Sequence, residues 1–200
     1  MTMDPILRAA TAADAAAIHH LISENVASGH LLPRTLSDVA EHAARFVVAD
    51  CGGEVVACAE LAPLSAGVAE VRSLVVAAAR RGRGTGPRLV REMAAAASAR
   101  GFDALCAFAH DPAPFVRLGF SLVPHTWLPE KIARDCAPCP LFRRCGRYAV
   151  TLALRAAAAV RPDPPSAVLH GRAAMSRRLS VEGLHLGAAP RAAAPEAVPA

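Results

Sequence analysis

Apolar positions along the chain change period in a definite order. Ile6, Leu7 and Arg8 read as a short strand. Ile18, Leu21, Ile22 and Val26 then recur at the three-to-four spacing of an amphipathic helix, and Thr11 with Asp14 three residues later supplies its cap. Gly29 stops this helix. Residues 31–34 form a loop, and Thr35 or Ser37 caps a second helix running to about Arg45. The pattern next turns to strand over 46–49, 55–61 and 68–76, with turns at 50–53 and 63–67, an antiparallel group. A helix over 85–100 follows, with Leu89, Val90, Met93, Ala94 and Ala97 on one stripe, Pro87 in its first turn and Gly101 at its end. Residues 102–109 are nearly all apolar, as in a buried strand. A short helix over 112–118 and strands at 120–123 and 148–154 complete the set. This order predicts an α/β (α+β) domain around a mixed, mainly antiparallel sheet.

After residue 155 the pattern fades. Ala, Pro, Arg and Gly dominate 156–200, which predicts a folded domain over 1–155 and a disordered tail over 156–200. Hydrophobic residues make up 54% of the chain and aromatic ones only 4%, so the core must rest on aliphatic side chains. The net charge of +5 suggests a phosphate-bearing or nucleic-acid partner. All cations but Lys131 are Arg, however, and no aromatic residues interleave with them, which argues against nucleic acid. No apolar run reaches the ~18 residues of a membrane span, and the first residues lack a secretory pattern. A cytoplasmic protein with reduced cysteines is expected.

The loop Arg81, Gly82, Arg83, Gly84, Thr85, Gly86 joins a strand to a helix. Its glycines remove Cβ atoms where an anion would touch the backbone, and the first N–H groups of the helix point outward. A P-loop needs a Lys that is absent, and a dinucleotide fingerprint needs G-x-G-x-x-G where this chain has G-x-G-x-G. Arg81, Gly84 and Gly86 do fall in register with R-x-x-G-x-G. Cys136, Cys139 and Cys145 form a second cluster in which C-x2-C is a zinc-ligand spacing. Three thiols fall one short of a closed site unless His125 or a distant Cys joins them, so no metal is assigned.

Around the glycine loop stands VRSLVVAAARRGRGTGPRLVREM, preceded by ILRAATAADAAAIHHLI and followed by PAPFVRLGF. By these phrases the chain from Ile6 to about Leu154 resembles the GNAT superfamily of acetyltransferases. SGHLLPRTL, AEVRSLVV and HTWLPEKIARDCAPCPLFRRC further resemble the short, stand-alone amino-acid acetyltransferases of the N-acetylglutamate synthase type. The resemblance includes no amino-acid-kinase domain, which implies that feedback control through one is absent.

The resemblance implies a GNAT fold and acetyl-CoA as co-substrate. The pyrophosphate would rest on the backbone of residues 81–86, and Leu74, Val75 and Val76 would hold the pantetheine arm and thioester by sheet-like hydrogen bonds. Glu70, acting through water, would accept the proton from the attacking amine, with Glu60 in reserve. Arg34 and Arg72 would bind the carboxylates of an amino acid, most simply L-glutamate at the start of arginine biosynthesis. Phe115 stands where many such enzymes place an acidic Tyr, so the leaving thiolate lacks that proton donor. Two other readings stay open: acetylation of another small amine or a protein N-terminus, and a non-catalytic acyl-CoA-binding module. Homo-oligomerisation is also open.

Overall fold

The computed structural model describes residues 4–26 and 31–155. The helix stop read at Gly29 and the tail over 156–200 lie outside the described residues. Seven strands form one sheet: β1 (Ile6–Ala9), β2 (Phe46–Cys51), β3 (Glu54–Pro63), β4 (Val68–Val76), β5 (Ala104–Ala109), β6 (Ser121–Val123) and β7 (Tyr148–Ala153). Their order is β1-β2-β3-β4-β5-β7-β6, and only the β4–β5 pair is parallel. The helices are α1 (Ala15–Val26), α2 (Leu36–Glu41), α3 (Thr85–Ala99) and the single turn α4 (Ala113–Val116).

Local chemistry accounts for the helix starts. The Thr11 N–H donates to Asp14 Oδ2 (2.7 Å), and a short 3-10 turn, Ala12–Asp14, leads into α1. The Asp14 carboxylate also receives two hydrogen bonds from Arg8, each 2.8 Å, and Arg8 Nε reaches Asp50 at 3.0 Å. One ion-paired cluster thus ties β1, α1 and β2 together. Thr35 caps α2 by accepting from the Asp38 N–H (3.1 Å). The second helix is shorter than its pattern predicts: α2 ends at Glu41, and a 3-10 turn, Ala43–Arg45, carries the chain into β2.

Alternation along the strands builds a core on each face. Leu89, Val90, Met93 and Ala97 of α3 pack with Ala57, Ala59, Leu61 and Val71 on one side. Ile18, Leu21 and Ile22 of α1 pack with Val48, Cys58 and Val75 on the other. Small alanines in β2, β3 and β5 let α3 sit close to the sheet.

Two irregularities in β4 create the site. First, its pairing with β3 slips: Cys58 faces Val75 but Glu60 faces Arg72, so β4 holds one extra residue. Ser73, at φ 47°, takes up the slack as a bulge. Second, β4 pairs with β5 only from Val68↔Ala104 to Val71↔Ala107. Beyond that point the two strands part, and Arg72, Val75 and Val76 are paired on the β3 side alone.

Candidate active site

The parting of β4 and β5 opens into a cavity of about 800 Å³. Its wall follows β4 from Glu70 to Val76 and continues to Arg81 and Gly86. Phe108 and Ala109 line it from β5. Backbone N–H and C=O groups left without a neighbouring strand are strong hydrogen-bonding groups. Residues 74–76 therefore offer an extended ligand a sheet edge inside a cleft.

The glycine loop sits at the end of that edge. Gly82 and Gly84 have φ of +73° and +82°, which only glycine adopts without strain. Gly84 is the N-cap of α3, whose first N–H groups have no intrahelical partner. The Arg81 side chain ties the loop down: its Nε donates to the Val76 carbonyl (3.1 Å), and its guanidinium reaches Asn25 of α1. Gly86 differs from the other two. Its φ is ordinary, and an added Cβ would meet only Val76 Cγ2 at 3.8 Å. Nothing in the protein itself requires glycine there, whereas a ligand lying on the helix start would.

The second half of the cavity is a charged cluster. Arg34 Nη1 donates to Glu60 Oε2 (2.7 Å) and to Ser73 Oγ (3.3 Å), and its Nε pairs with Asp38. Arg72 Nε donates to Glu70 Oε2 (2.5 Å), and its Nη2 pairs with Asp135. Lys131 Nζ lies 2.8 Å from Glu70 and 3.0 Å from Asp135. Burial by itself would lower the pKa of either guanidinium. The hydrogen bonds of Arg34 to Asp38 and Glu60, and the charges of Glu70 and Asp135 around Arg72, outweigh it and hold both pKa values above the ordinary one. Both glutamates are buried, at 1% and 3% exposure.

Arg34, Glu60, Glu70, Arg72, Leu74, Val75, Val76, Arg81 and Gly86 line this one cavity, whereas Gly82, Arg83, Gly84 and Thr85 do not, and the charged residues differ in freedom. Glu70 enters as an ion-paired residue, with both oxygens held by cations. The reserve candidate, Glu60, has Oε2 on Arg34, while Oε1 lies 4.0 Å from Arg45, beyond hydrogen-bond reach of it. Phe115 is buried and stacks edge-to-face on Phe120 (5.3 Å), bringing no hydroxyl to the wall. Lys131, Asp135 and Asp38 escaped sequence reasoning. Lys131 had one visible signal, being the only lysine in the chain. It is placed by a one-turn helix, Pro129–Lys131, that runs into a π-turn, Ile132–Cys136. Neither has a hydrophobic period that a sequence would betray.

Among the described residues, no group of three His, Cys, Asp or Glu side chains could hold a metal ion. His125 is hydrogen-bonded through Nε2 to the Arg147 carbonyl (2.7 Å). No helix among the described residues is long and apolar enough to cross a membrane.

Comparison with known proteins decides the family. The model of the acetyltransferase (GNAT) family matches residues 15–120, more than half of the chain. The chain belongs to the GNAT acetyltransferase family. The uncharacterised N-acetyltransferase CT2212 of Chlorobaculum tepidum is 32% identical over 151 residues, spanning 76% of this chain and 97% of that protein. Among solved structures, Rv2747 from Mycobacterium tuberculosis, in complex with CoA and NLQ, superposes with a TM-score of 0.66. It is 23% identical, over 76% of this chain and all of that one. N-acetylglutamate synthase from Neisseria gonorrhoeae, complexed with coenzyme A and N-acetyl-glutamate, gives 0.68 at 23% identity. That match covers 78% of this chain but 36% of the Neisseria chain. At these identities the two structures establish the shared fold alone. Within the GNAT fold, the parted strands and the glycine loop of this acetyltransferase are the cleft and helix start described above.

Proposed function

We propose that the protein transfers the acetyl group of acetyl-CoA to the α-amino group of an acidic amino acid, with L-glutamate the acceptor. The observation that carries this reading is the composition of one cavity. A free strand edge and an anion-ready helix start lie on one part of its wall, and two half-buried arginines, Arg34 and Arg72, on another. The first pair suits a long thioester ending in a pyrophosphate. The second suits a small molecule with two carboxylates.

The residues divide the work as follows. The backbone of Arg81, Gly82, Arg83, Gly84, Thr85 and Gly86 holds the pyrophosphate. Leu74, Val75 and Val76 hold the pantetheine arm as a neighbouring strand would. The amine attacks the thioester carbonyl carbon, a C–N bond forms, and the C–S bond breaks as CoA leaves. A backbone N–H of the segment 74–76 would stabilise the oxygen on which charge develops. The ammonium proton must pass to a carboxylate, directly or through water. We assign that role to Glu60, whose Oε1 is the less engaged carboxylate oxygen, and assign to Glu70 the holding of Arg72 and Lys131. With Phe115 in place of a phenol, the thiolate departs as the anion and is protonated by solvent.

A panel of amines offered with acetyl-CoA, read by thiol release, tests the proposal. Turnover confined to glutamate and close acidic relatives is expected. Preference for a neutral amine or a peptide N-terminus would overturn the acceptor. CoA binding without thiol release from any amine would make this a binding module.

A further inference from the structure

Each of the two cavity arginines carries two carboxylates of different standing. One comes from the sheet: Glu60 of β3 for Arg34 and Glu70 of β4 for Arg72, both nearly sealed from solvent. The other comes from the rim: Asp38 of α2 and Asp135 of the π-turn, with side chains 38% and 27% exposed. The sheet carboxylates are fixed by strand register; Glu70 stands between Ala62 and Cys106. Asp135 hangs on a turn whose hydrogen-bonding departs from regular helix.

The charge balance around Arg72 is instructive. Arg72, Lys131 and Glu70 together carry a net charge of +1, and Asp135 cancels it while also lying 3.8 Å from the more exposed Arg134. The carboxylate of an acceptor's side chain would cancel it equally well. Lys131 is suited to such a guest. Its stem is largely buried, its ammonium lies 5.2 Å from the centre of the Phe108 ring, and its Nζ already spans Glu70 and Asp135. Phe108, Lys131 and Asp135 all line the cavity.

We propose that Asp135 occupies the place of the acceptor's side-chain carboxylate in the empty protein. Lys131 and Arg72 together receive that carboxylate when Asp135 gives way, so Lys131 sets the preference for an acidic over an amide side chain. This rests on the acceptor reading above. The rim aspartate keeps two half-buried cations neutralised until the guest arrives, and it makes the guest compete for its place.

The test is initial-rate kinetics with L-glutamate and L-glutamine for the wild type, Lys131→Met, Lys131→Arg and Asp135→Asn. Lys131→Met should raise the glutamate KM about tenfold while leaving the glutamine and acetyl-CoA KM values within about twofold, the size expected for one charge-assisted hydrogen bond. Lys131→Arg should restore most of the discrimination. Asp135→Asn should lower the glutamate KM, because an internal competitor is gone, and so checks the idea even if Lys131→Met fails to fold. Equal KM increases for both acceptors in Lys131→Met, or a raised glutamate KM in Asp135→Asn, would overturn it. A wild type that does not acetylate L-glutamate would instead overturn the acceptor reading itself, before any variant is compared.

Discussion

At the residue scale, the two buried glutamates illustrate how environment separates like groups. Glu60 and Glu70 belong to adjacent strands, and Glu60 faces Arg72 directly. The family resemblance puts Glu70 first and Glu60 in reserve; we reverse that order because the choice depends on which oxygens are occupied, which no sequence displays. Glu60→Gln should lower kcat about a hundredfold with little change in the acetyl-CoA KM, the loss typical of a proton acceptor. Glu70→Gln should act mainly through the acceptor KM, by leaving Arg72 and Lys131 under-neutralised. Steady-state kinetics of the two variants separates these roles, and reversed behaviour would reassign the base. Arg34 is also a residue-scale test. Arg34→Ala should raise the glutamate KM far more than the acetyl-CoA KM, whereas equal increases would make it a structural residue.

At the scale of elements, the Arg8–Asp14–Asp50 cluster fixes β1, α1 and β2 at one edge of the sheet. The Arg8 guanidinium hydrogen-bonded to Asp14 holds that carboxyl well below the usual carboxylate range, although burial acts in the opposite sense. A depressed folded-state pKa means stability that is present above the unfolded value of about 4 and is lost as pH falls toward the folded value. Asp14→Asn should therefore cost about 1–2 kcal/mol at pH 7, discounted because Arg8 is a third exposed, with a smaller difference below pH ~3. Urea unfolding at both pH values measures it. This cap was readable, since Thr11 and Asp14 are local in sequence. The extent of β4 was readable for the same reason, as its apolar run from Val68 to Val76 is local, although the bulge at Ser73 was not. Its parting from β5 was not. That feature arises where a parallel partner stops pairing, and pairing partners leave no local mark. Nor did the turn of residues 129–136 announce itself, so the lysine and aspartate it delivers to the cavity came from the fold.

At the scale of the whole molecule, the described part closes on itself. The Leu154 N–H donates to the Asp103 carbonyl (2.8 Å), and Arg155 pairs with the Asp103 side chain (3.3 Å). We propose residues 1–155 as the catalytic unit. A chain ending at Arg155 should fold cooperatively and keep its kcat/KM for acceptor and acetyl-CoA within about twofold of the full chain, given that surface changes outside a packed unit usually have small effects. A larger loss would assign the remaining residues a part in the site. The parted sheet also has a thermodynamic meaning. A molecule laid along residues 74–76 supplies the hydrogen bonds that a further strand would have made, so cofactor and fold become partners in one equilibrium. Stability should then depend on how much CoA is present, rising by about 2.7 kcal/mol at a hundredfold excess over Kd. Thermal melts across a CoA series would show the midpoint climbing with concentration, and amide exchange should slow along β4 first. On the proposed reading, the sheet is one member short along residues 74–76, and the cofactor would complete it at each turnover.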